Sequence, residues 1–184
     1  MRTFISVELP DEVKKNIVEL INELKNTGAA VKWMEAKNLH ITLKFLGWVE
    51  DRNLDNLIDL TTRAAAGKGS FKARFEELGT FPEGKSPRVV WVGTAEGGDK
   101  LCALAKALEE TLSTAGFRKE EREFRPHITI GRIKDKKGVD KLKEKIKSIK
   151  DAKFGEVLVD RICIMKSTLT PKGPIYEKVK EVKL

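Results

Sequence analysis

Two short stretches of alternating side chains constrain this chain more than any other feature. In the stretch LHITLKFLG, His40 precedes Thr42 by two residues. In the stretch PHITIGR, His127 precedes Thr129 by the same spacing. Side chains at i and i+2 share one face of a β-strand, so each histidine should project beside its threonine. The chain has two histidines, and both lie in the tripeptide His-Ile-Thr.

The intervening residues of both stretches are apolar, which predicts that the opposite face of each strand is buried. In the first strand we predict that Ile41, Leu43 and Phe45 belong to the core. In the second strand Ile128 and Ile130 should do the same. Each histidine strand is therefore expected to cover the core with one face and to carry its polar pair on the other.

The remaining periodicity predicts an α+β fold. Strand-like alternation and helical apolar stripes follow one another in the order β-α-β-β-α-β-β-α-β-α-β-β, with Glu156–Lys166 as one strand and Gly79–Pro87 as a loop. Strands outnumber the helices that could cross between parallel strands, which favours largely antiparallel sheets. We predict a single bilobal domain over 1–184, with two similar lobes, helices outside and a cleft to which each lobe gives one His/Thr pair.

Length and composition describe a globular protein outside the membrane. A chain of 184 residues is long enough for one domain with a substantial core. No apolar run approaches the roughly 20 residues of a membrane-spanning helix. The first residues, MRTFISVELPDE, lack the apolar segment and cleavage site of a signal peptide, so we expect a cytoplasmic protein.

The charge of the chain favours a polyanionic partner without establishing one. The formal net charge is +8, and 35% of the residues are charged. A basic surface is typical of proteins that bind nucleic acids. The chain also contains no glutamine and many residues of both charges, a composition typical of proteins from hyperthermophiles. Charge alone leaves both explanations open.

The paired motifs indicate acid–base chemistry on a phosphate. Histidine has an ordinary pKa of about 6.5, so two of them allow one imidazole to accept a proton while the other donates one. Each transfer typically contributes ~10²–10⁴-fold in rate. A threonine hydroxyl beside each histidine can donate to a phosphate oxygen. Arg132, shortly after the second pair, could contact the same phosphate with two hydrogen bonds.

Other chemistries fit the sequence less well. Two histidines without a third ligand make a poor zinc site, and nothing in the sequence places Glu76, Glu77 or Asp135 near them. We therefore predict no metal and no cofactor. Cys102 and Cys163 form no Cys-x-x-Cys motif and are expected to be buried free thiols. No serine stands in a G-x-S-x-G context, so a nucleophile elbow is absent from the sequence.

These motifs resemble a known family. HITL at His40–Leu43 and HITI at His127–Ile130 match the paired H-x-T-x motifs of the two-histidine phosphoesterases. Their surroundings are similar to those in the archaeal and bacterial RNA 2',3'-cyclic phosphodiesterases, also called 2'-5' RNA ligases. The similar segments are RTFISVEL, VKWMEAKNLHITLKFLG, LGTFPEGKSPRVVWVG, FRPHITIGR and STLTPKGPIYEKV. The resemblance spans nearly the whole chain.

The resemblance implies both a reaction and the residues that perform it. RNA with a 2',3'-cyclic phosphate end would be hydrolysed to a terminal 2'-phosphate without metal, and 2'-5' ligation would be the reversible companion reaction. By analogy with the family, His40 is the proton donor and His127 the proton acceptor. Thr42 and Thr129 would bind the phosphate, and Arg132 would position it.

Two other function classes remain open on the sequence alone. One is a phosphodiesterase of the same superfamily that acts on a small nucleotide cyclic phosphate. The other is an RNA-binding module without turnover, whose expected signature is a set of stacking aromatics on an exposed sheet. Aromatic residues make up only 7% of the chain, and several occupy positions that the alternation assigns to the core.

Overall fold

Nine strands form one sheet in the computed structural model, which describes residues 1–84, 86–149, 152–171 and 173–184. The strands are β1 (Arg2–Glu8), β2 (Val31–Trp33), β3 (His40–Trp48), β4 (Phe71–Phe81), β5 (Val89–Glu96), β6 (His127–Ile133), β7 (Gly155–Val159), β8 (Arg161–Thr170) and β9 (Gly173–Lys183). Every pairing between these strands is antiparallel. The predicted α+β class with antiparallel sheets is confirmed.

The sheet has two lobes that meet at the two histidine strands. The strand order is β7-β4-β5-β6-β3-β1-β8-β9, and β2 pairs with Gly131–Ile133 of β6, farther along that strand than its contact with β3. We call β3, β1, β8 and β9 the His40 lobe, and β2, β4, β5, β6 and β7 the His127 lobe. Each lobe draws strands from both ends of the chain, because β8 and β9 return to β1 and β2 joins β6.

Four helices cover one face of the sheet: α1 (Asp11–Lys25), α2 (Leu54–Ala65), α3 (Gly98–Thr114) and α4 (Val139–Ser148). The first helix shows why the sequence folds this way. It begins after Pro10 with two acidic residues near the positive end of its dipole. Its buried side chains Val13, Ile17, Leu20, Ile21 and Leu24 recur at helical spacing. None of the described helices combines the length and apolar character that crossing a membrane would require.

The core lies between these helices and one face of the sheet. Ile41 and Ile128, from the two histidine strands, are each 0% exposed and belong to the same apolar cluster as the helix stripes. An antiparallel sheet can bury one face and leave the other to solvent. Since side chains alternate along a strand, burial of these two isoleucines directs the neighbouring histidines away from the helices.

A β-bulge in β3 changes the predicted alternation. Thr42 and Lys44 pair with consecutive residues of β1, so Leu43 is an extra residue on this strand. Beyond a bulge, the side chains exchange faces. Lys44 is therefore buried against the helices, whereas Phe45 is 62% exposed on the open face. The prediction that Ile41 and Leu43 are buried is confirmed, and the prediction that Phe45 is a core residue is wrong.

Two further sequence predictions are corrected near strand ends. The single strand predicted over Glu156–Lys166 is two strands separated at Asp160, because β7 pairs with β4 while β8 crosses to pair with β1. The loop predicted over Gly79–Pro87 starts later, because β4 continues to Phe81. Lys85, inside that predicted loop, lies outside the described residues.

The two cysteines differ in their surroundings. Both are free thiols, as predicted. Cys163, on β8, is buried at 1% exposure, which confirms the predicted burial, whereas Cys102, on α3, is only half-buried, so the prediction of burial is wrong for this residue. Burial raises the pKa of both thiols. Both sulfurs are therefore protonated at neutral pH, which makes them weak nucleophiles.

A buried ion pair ties β3 to the segment that leads into β6. Lys44 Nζ lies 2.6 Å from Glu109 Oε2 on α3 and donates to the Arg118 carbonyl at 3.0 Å. Glu109 Oε1 accepts the backbone N–H of Glu120 at 3.1 Å. The Lys44 side chain is 2% exposed, so its charge depends on these partners rather than on water. The pair fixes the loop between α3 and β6 against the first histidine strand.

We expect Glu109→Ala to lower the free energy of unfolding by about 3 kcal/mol, because it leaves a buried ammonium group without its counter-charge. Lys44→Met removes the charge itself and should cost clearly less. Chemical denaturation followed by circular dichroism measures both. The matched control is Lys106→Ala, which breaks an exposed pair on the same helix and should change stability by less than about 0.5 kcal/mol. Equal losses for Glu109→Ala and the control would contradict the role of the buried pair.

Candidate active site

The two histidines come together because their strands are neighbours. His40 and His127 are the first residues of β3 and β6. These strands pair antiparallel with Ile41 opposite Ile128. This register puts each histidine across from the threonine of the other strand, on the face that does not carry the isoleucines. Both imidazoles are only partly buried.

Each threonine shares its histidine's face, as the sequence predicts. Thr42 Oγ1 lies 3.0 Å from His40 Nε2 and within hydrogen-bonding distance of it. Thr129 is half-buried on β6, two residues beyond His127. The structure thus brings together four of the predicted site residues on adjoining strands.

The backbone fixes which nitrogen of each ring faces the cleft. His40 Nδ1 lies 2.8 Å from the carbonyl oxygen of Asn38, and His127 Nδ1 lies 2.7 Å from that of Arg125. A carbonyl oxygen can only accept a hydrogen bond, so Nδ1 carries the proton in both rings. In the neutral imidazole, Nε2 then has the free lone pair. Both rings are held by the same contact, to the carbonyl two residues earlier.

Aromatic rings from β1 and β9 support His40. The Phe4 ring lies 5.0 Å from the imidazole centroid, and the Tyr176 ring lies 5.2 Å away at 88°. Phe4 and Tyr176 also meet edge to face, with centroids 5.0 Å apart. Neither residue is evident from the sequence. Phe4 reaches the site through the pairing of β1 with β3, and Tyr176 through the pairing of β9 with β8 and of β8 with β1.

His127 has an equivalent support from β4 and β5. Phe81 meets its imidazole edge to face at 5.2 Å and stacks on Trp91 at 4.9 Å. The indole of Trp91 lies so close to the sheet that a Cβ atom on Gly79 would clash with it, and one on Gly93 would be 2.8 Å away. Glycine at these two positions therefore allows the tryptophan to lie flat beneath Phe81.

A second bulge places Arg132 on the histidine face. Thr129 and Gly131 pair with consecutive residues of β5, so Ile130 is an extra residue on β6. Without the bulge, the alternation from Thr129 would put Gly131 on this face; with the bulge, it puts Arg132 there. Arg132 is exposed and forms no ion pair with any carboxylate in the described part of the chain.

The surroundings disfavour the charged form of both imidazoles. Burial lowers the pKa of His40 to about 4, repulsion from His127 and Lys14 adds to this, and the hydrogen bond to Asn38 opposes it. Burial also lowers the pKa of His127, and the positive charge of Arg132 adds to that shift. In the ligand-free protein, both rings are therefore neutral at pH 7. An anion bound between them would reverse part of this shift.

One group of potential metal ligands approaches closely within the described residues, and it does not include the histidines. Oxygen and sulfur atoms of Glu8, Cys163 and Glu181 lie within 4.8 Å of one another. Lys178 Nζ lies 2.6 Å from Glu8 Oε2 and 2.6 Å from Glu181 Oε1. The ammonium group already supplies the positive charge that these carboxylates require. The acidic residues considered above as a third zinc ligand are not part of this group.

Comparison with known proteins gives matches over nearly the whole chain. The family model of the 2'-5' RNA ligase superfamily matches residues 9–170. A Methanocaldococcus jannaschii protein named RNA 2',3'-cyclic phosphodiesterase is 40% identical over 181 residues, which cover 98% of this chain and 99% of that protein. A Thermotoga maritima protein of the same name is 41% identical over 181 residues, with 98% of this chain and 94% of that protein covered.

Solved structures share the fold. A crystal structure of a Thermus thermophilus protein superposes with a TM-score of 0.81 at 28% identity, covering 100% of this chain and 98% of that one. The crystal structure of Escherichia coli LigT complexed with 3'-AMP gives a TM-score of 0.80 at 24% identity, with 100% and 97% of the two chains covered. The bilobal arrangement of this chain is therefore the arrangement of known proteins.

The electrostatics of the site can be tested by NMR titration of the imidazole signals. We expect His40 to stay neutral down to about pH 4 in the ligand-free protein. In His127→Gln, the pKa of His40 should rise, because a neighbouring positive charge is removed. Each single histidine variant leaves one imidazole, which assigns the signals. Titration of His40 at or above 6.5, the ordinary value, would contradict the description of the site.

Proposed function

Because the chain belongs to the 2'-5' RNA ligase superfamily, we propose that it hydrolyses RNA 2',3'-cyclic phosphate ends to 2'-phosphates with His40 and His127 as its acid–base pair. The observation that carries this proposal is the matched orientation of the two imidazoles. Each donates its Nδ1 proton to a backbone carbonyl and so presents Nε2 on the open face. Relatives at 40% and 41% identity, matched over nearly their full length, bear the name of this activity.

The reaction requires one proton to be taken and one to be given. His127 Nε2 accepts a proton from water, whose oxygen attacks phosphorus in line with the 3' oxygen of the ribose. The bond between phosphorus and the 3' oxygen breaks, and His40 Nε2 donates its proton to that oxygen. The products are a 2'-phosphate and a free 3'-hydroxyl. The roles of donor and acceptor follow the family analogy, and the pseudosymmetric geometry suits a proton transfer on each side of the phosphate.

The threonines and Arg132 suit the non-bridging oxygens of the phosphate. When the imidazole of His40 is neutral, the Thr42 hydroxyl can donate to its Nε2, at 3.0 Å. When Nε2 carries the proton that it will donate, it no longer accepts this bond, and the hydroxyl proton is free to turn to a phosphate oxygen. Thr129 can do the same from β6, and the guanidinium of Arg132 can neutralise the charge that develops on the phosphorane oxygens.

The lowered histidine pKa values couple catalysis to substrate binding. A neutral imidazole cannot act as the acid, so His40 must gain a proton before the 3' oxygen can leave. The negative charge of a bound cyclic phosphate favours that protonated form. The site therefore gains its acid when the anion enters it.

The same geometry allows ligation. If the 5'-hydroxyl of a second RNA takes the place of water, attack on the cyclic phosphate gives a 2'-5' linkage, and microscopic reversibility allows its cleavage. The high concentration of water favours hydrolysis. The partner in this proposal is the RNA end. The reaction needs neither metal nor cofactor, and we place it in the cytoplasm, where such RNA ends would occur.

The decisive assay is incubation of an RNA oligomer that ends in a 2',3'-cyclic phosphate with the protein in EDTA. We expect a terminal 2'-phosphate as the product, because the assigned acid protonates the 3' oxygen. Mass spectrometry combined with digestion by enzymes specific for phosphate position identifies the end. A terminal 3'-phosphate, or loss of activity in EDTA, would contradict the mechanism. Binding without turnover would favour the RNA-binding module.

Substitutions test the residue roles. His40→Ala and His127→Ala should each reduce kcat by at least about 10²-fold, because each removes a proton transfer. Thr42→Val should lower kcat/KM, whereas Thr42→Ser retains the hydroxyl and should keep most of the activity. Thermal unfolding of all four variants shows whether the fold is intact. Near-normal turnover by either alanine variant would refute its assignment.

The pH dependence should separate the free enzyme from the substrate complex. The profile of kcat/KM reports the free enzyme, in which both histidine pKa values lie below 6.5. We therefore expect its maximum below pH 6.5, with a fall at higher pH as the acid loses its proton and a fall at lower pH as the base gains one. In the profile of kcat, the alkaline limb should lie at higher pH, because bound phosphate favours the protonated imidazole. A kcat/KM maximum above pH 7 would contradict this assignment.

A further inference from the structure

Two large aromatic side chains are exposed on β3 beyond the histidine. Phe45 is 62% exposed and Trp48 is 78% exposed. Aromatic side chains are enriched where proteins bind their partners, so two exposed rings on one sheet surface indicate an interaction site. Neither residue takes part in the proton transfers or in the phosphate contacts described above.

The two rings continue the open face that carries the active site. Phe4 lies 5.0 Å from His40 on one side and 6.2 Å from Phe45 on the other, measured between ring centroids. In the register of β1 and β3, Phe4 is opposite Phe45 and Arg2 is opposite Trp48. Paired residues of neighbouring strands project from the same face. We call this surface, formed by the rings of Phe45 and Trp48 together with the neighbouring Arg2, the aromatic strip.

The strip leads away from the reacting centre by a distance that suits neighbouring nucleotides. His40 pairs with Glu8 of β1, whereas the two aromatic residues pair with positions four and six residues earlier on the same strand. At the rise of an extended strand, the Cα atoms of Phe45 and Trp48 therefore lie roughly 13–20 Å from that of His40, and the Phe45 ring lies nearer, on the far side of the Phe4 ring from the imidazole. The strip thus begins one ring beyond the aromatic neighbour of the imidazole and extends to where the preceding nucleotides would lie.

The two lobes carry different chemistry at equivalent positions. In β3 the bulge at Leu43 puts Phe45 on the open face, and in β6 the bulge at Ile130 does the same for Arg132. Each of these residues is the fifth after its histidine. The His127 lobe thus presents a guanidinium group that suits phosphate, whereas the His40 lobe presents an apolar ring that suits the face of a base.

We propose that the aromatic strip stacks the bases of the nucleotides on the 5' side of the cyclic phosphate, which makes an RNA oligomer, rather than a mononucleotide, the preferred substrate. This inference rests on the proposed function and adds to it the length of the substrate. Sheets that bind single-stranded RNA stack about two or three bases on exposed aromatics. Such stacking tolerates any sequence, since every base has a π-face.

The charge of the strip agrees with a nucleic-acid occupant. Arg2 is exposed and forms no ion pair with a described carboxylate. Burial raises the pKa of Tyr176, and the positive charges of Arg132 and Arg2 both act to lower it, so both guanidinium groups lie near this tyrosine. A phosphodiester backbone that passes Tyr176 would therefore meet positive charge.

The test compares a cyclic-phosphate RNA of about eight nucleotides with a nucleoside 2',3'-cyclic monophosphate. The unaltered chain should have the higher kcat/KM on the oligomer. In Trp48→Ala and Phe45→Ala, the ratio of the two kcat/KM values should fall by about tenfold, the loss expected for one base–aromatic stack. Trp48→Phe should restore most of that ratio, because it retains an aromatic face.

Leu158→Ala is the matched control. Leu158 is 59% exposed on β7, at the edge of the other lobe, and its truncation should leave the ratio unchanged. A ratio that stays the same in both alanine variants of the strip overturns the inference while the proposed function stands, and points to another occupant such as a protein. Absence of turnover of both substrates by the unaltered chain overturns the proposed function and the inference together.

Discussion

The site depends on one antiparallel contact, between Ile41 of β3 and Ile128 of β6. Both isoleucines are fully buried beneath the helices, which leaves the flanking histidines no place but the opposite face. Hydrophobic burial thus positions the proposed acid–base pair: a slip of one residue in either strand would exchange the faces and expose isoleucine in place of histidine. The same register therefore determines both the core and the arrangement of the two histidines proposed to be catalytic.

Hydrogen bonds and aromatic contacts then fix the orientation of the two imidazoles. Backbone carbonyls of Asn38 and Arg125 hold the two rings in the same tautomer, and aromatic neighbours limit their rotation. The surroundings that bury the imidazoles also exclude water from them. That desolvation is the main cause of the lowered histidine pKa values. The features that orient the histidines are the ones that keep them neutral until an anion arrives.

The sequence was sufficient to predict the parts of the site that follow from local alternation. In each histidine strand, the histidine and its threonine (His40 and Thr42, His127 and Thr129) are two residues apart. Side chains two residues apart in a strand share a face, so each pair projects together. The bulge at Leu43 was not visible, because an extra residue in a strand is defined only by the partner strand; hence Phe45 was assigned to the core. The aromatic rings from β1, β4 and β9 that contact the histidines could not be predicted either, because strands distant in sequence bring them to the site.

The buried Lys44–Glu109 pair affects how the stability of the fold changes with temperature. The cost of removing charged groups from water decreases as temperature rises, so the net contribution of this pair to folding should increase on warming. Its hydrogen bonds reach Arg118 and Glu120, in the segment that precedes the second histidine strand. Surface loops usually loosen first in a heated protein. Here the loop before β6 is anchored by a contact that strengthens with temperature, which suits a chain whose relatives include proteins of Methanocaldococcus and Thermotoga.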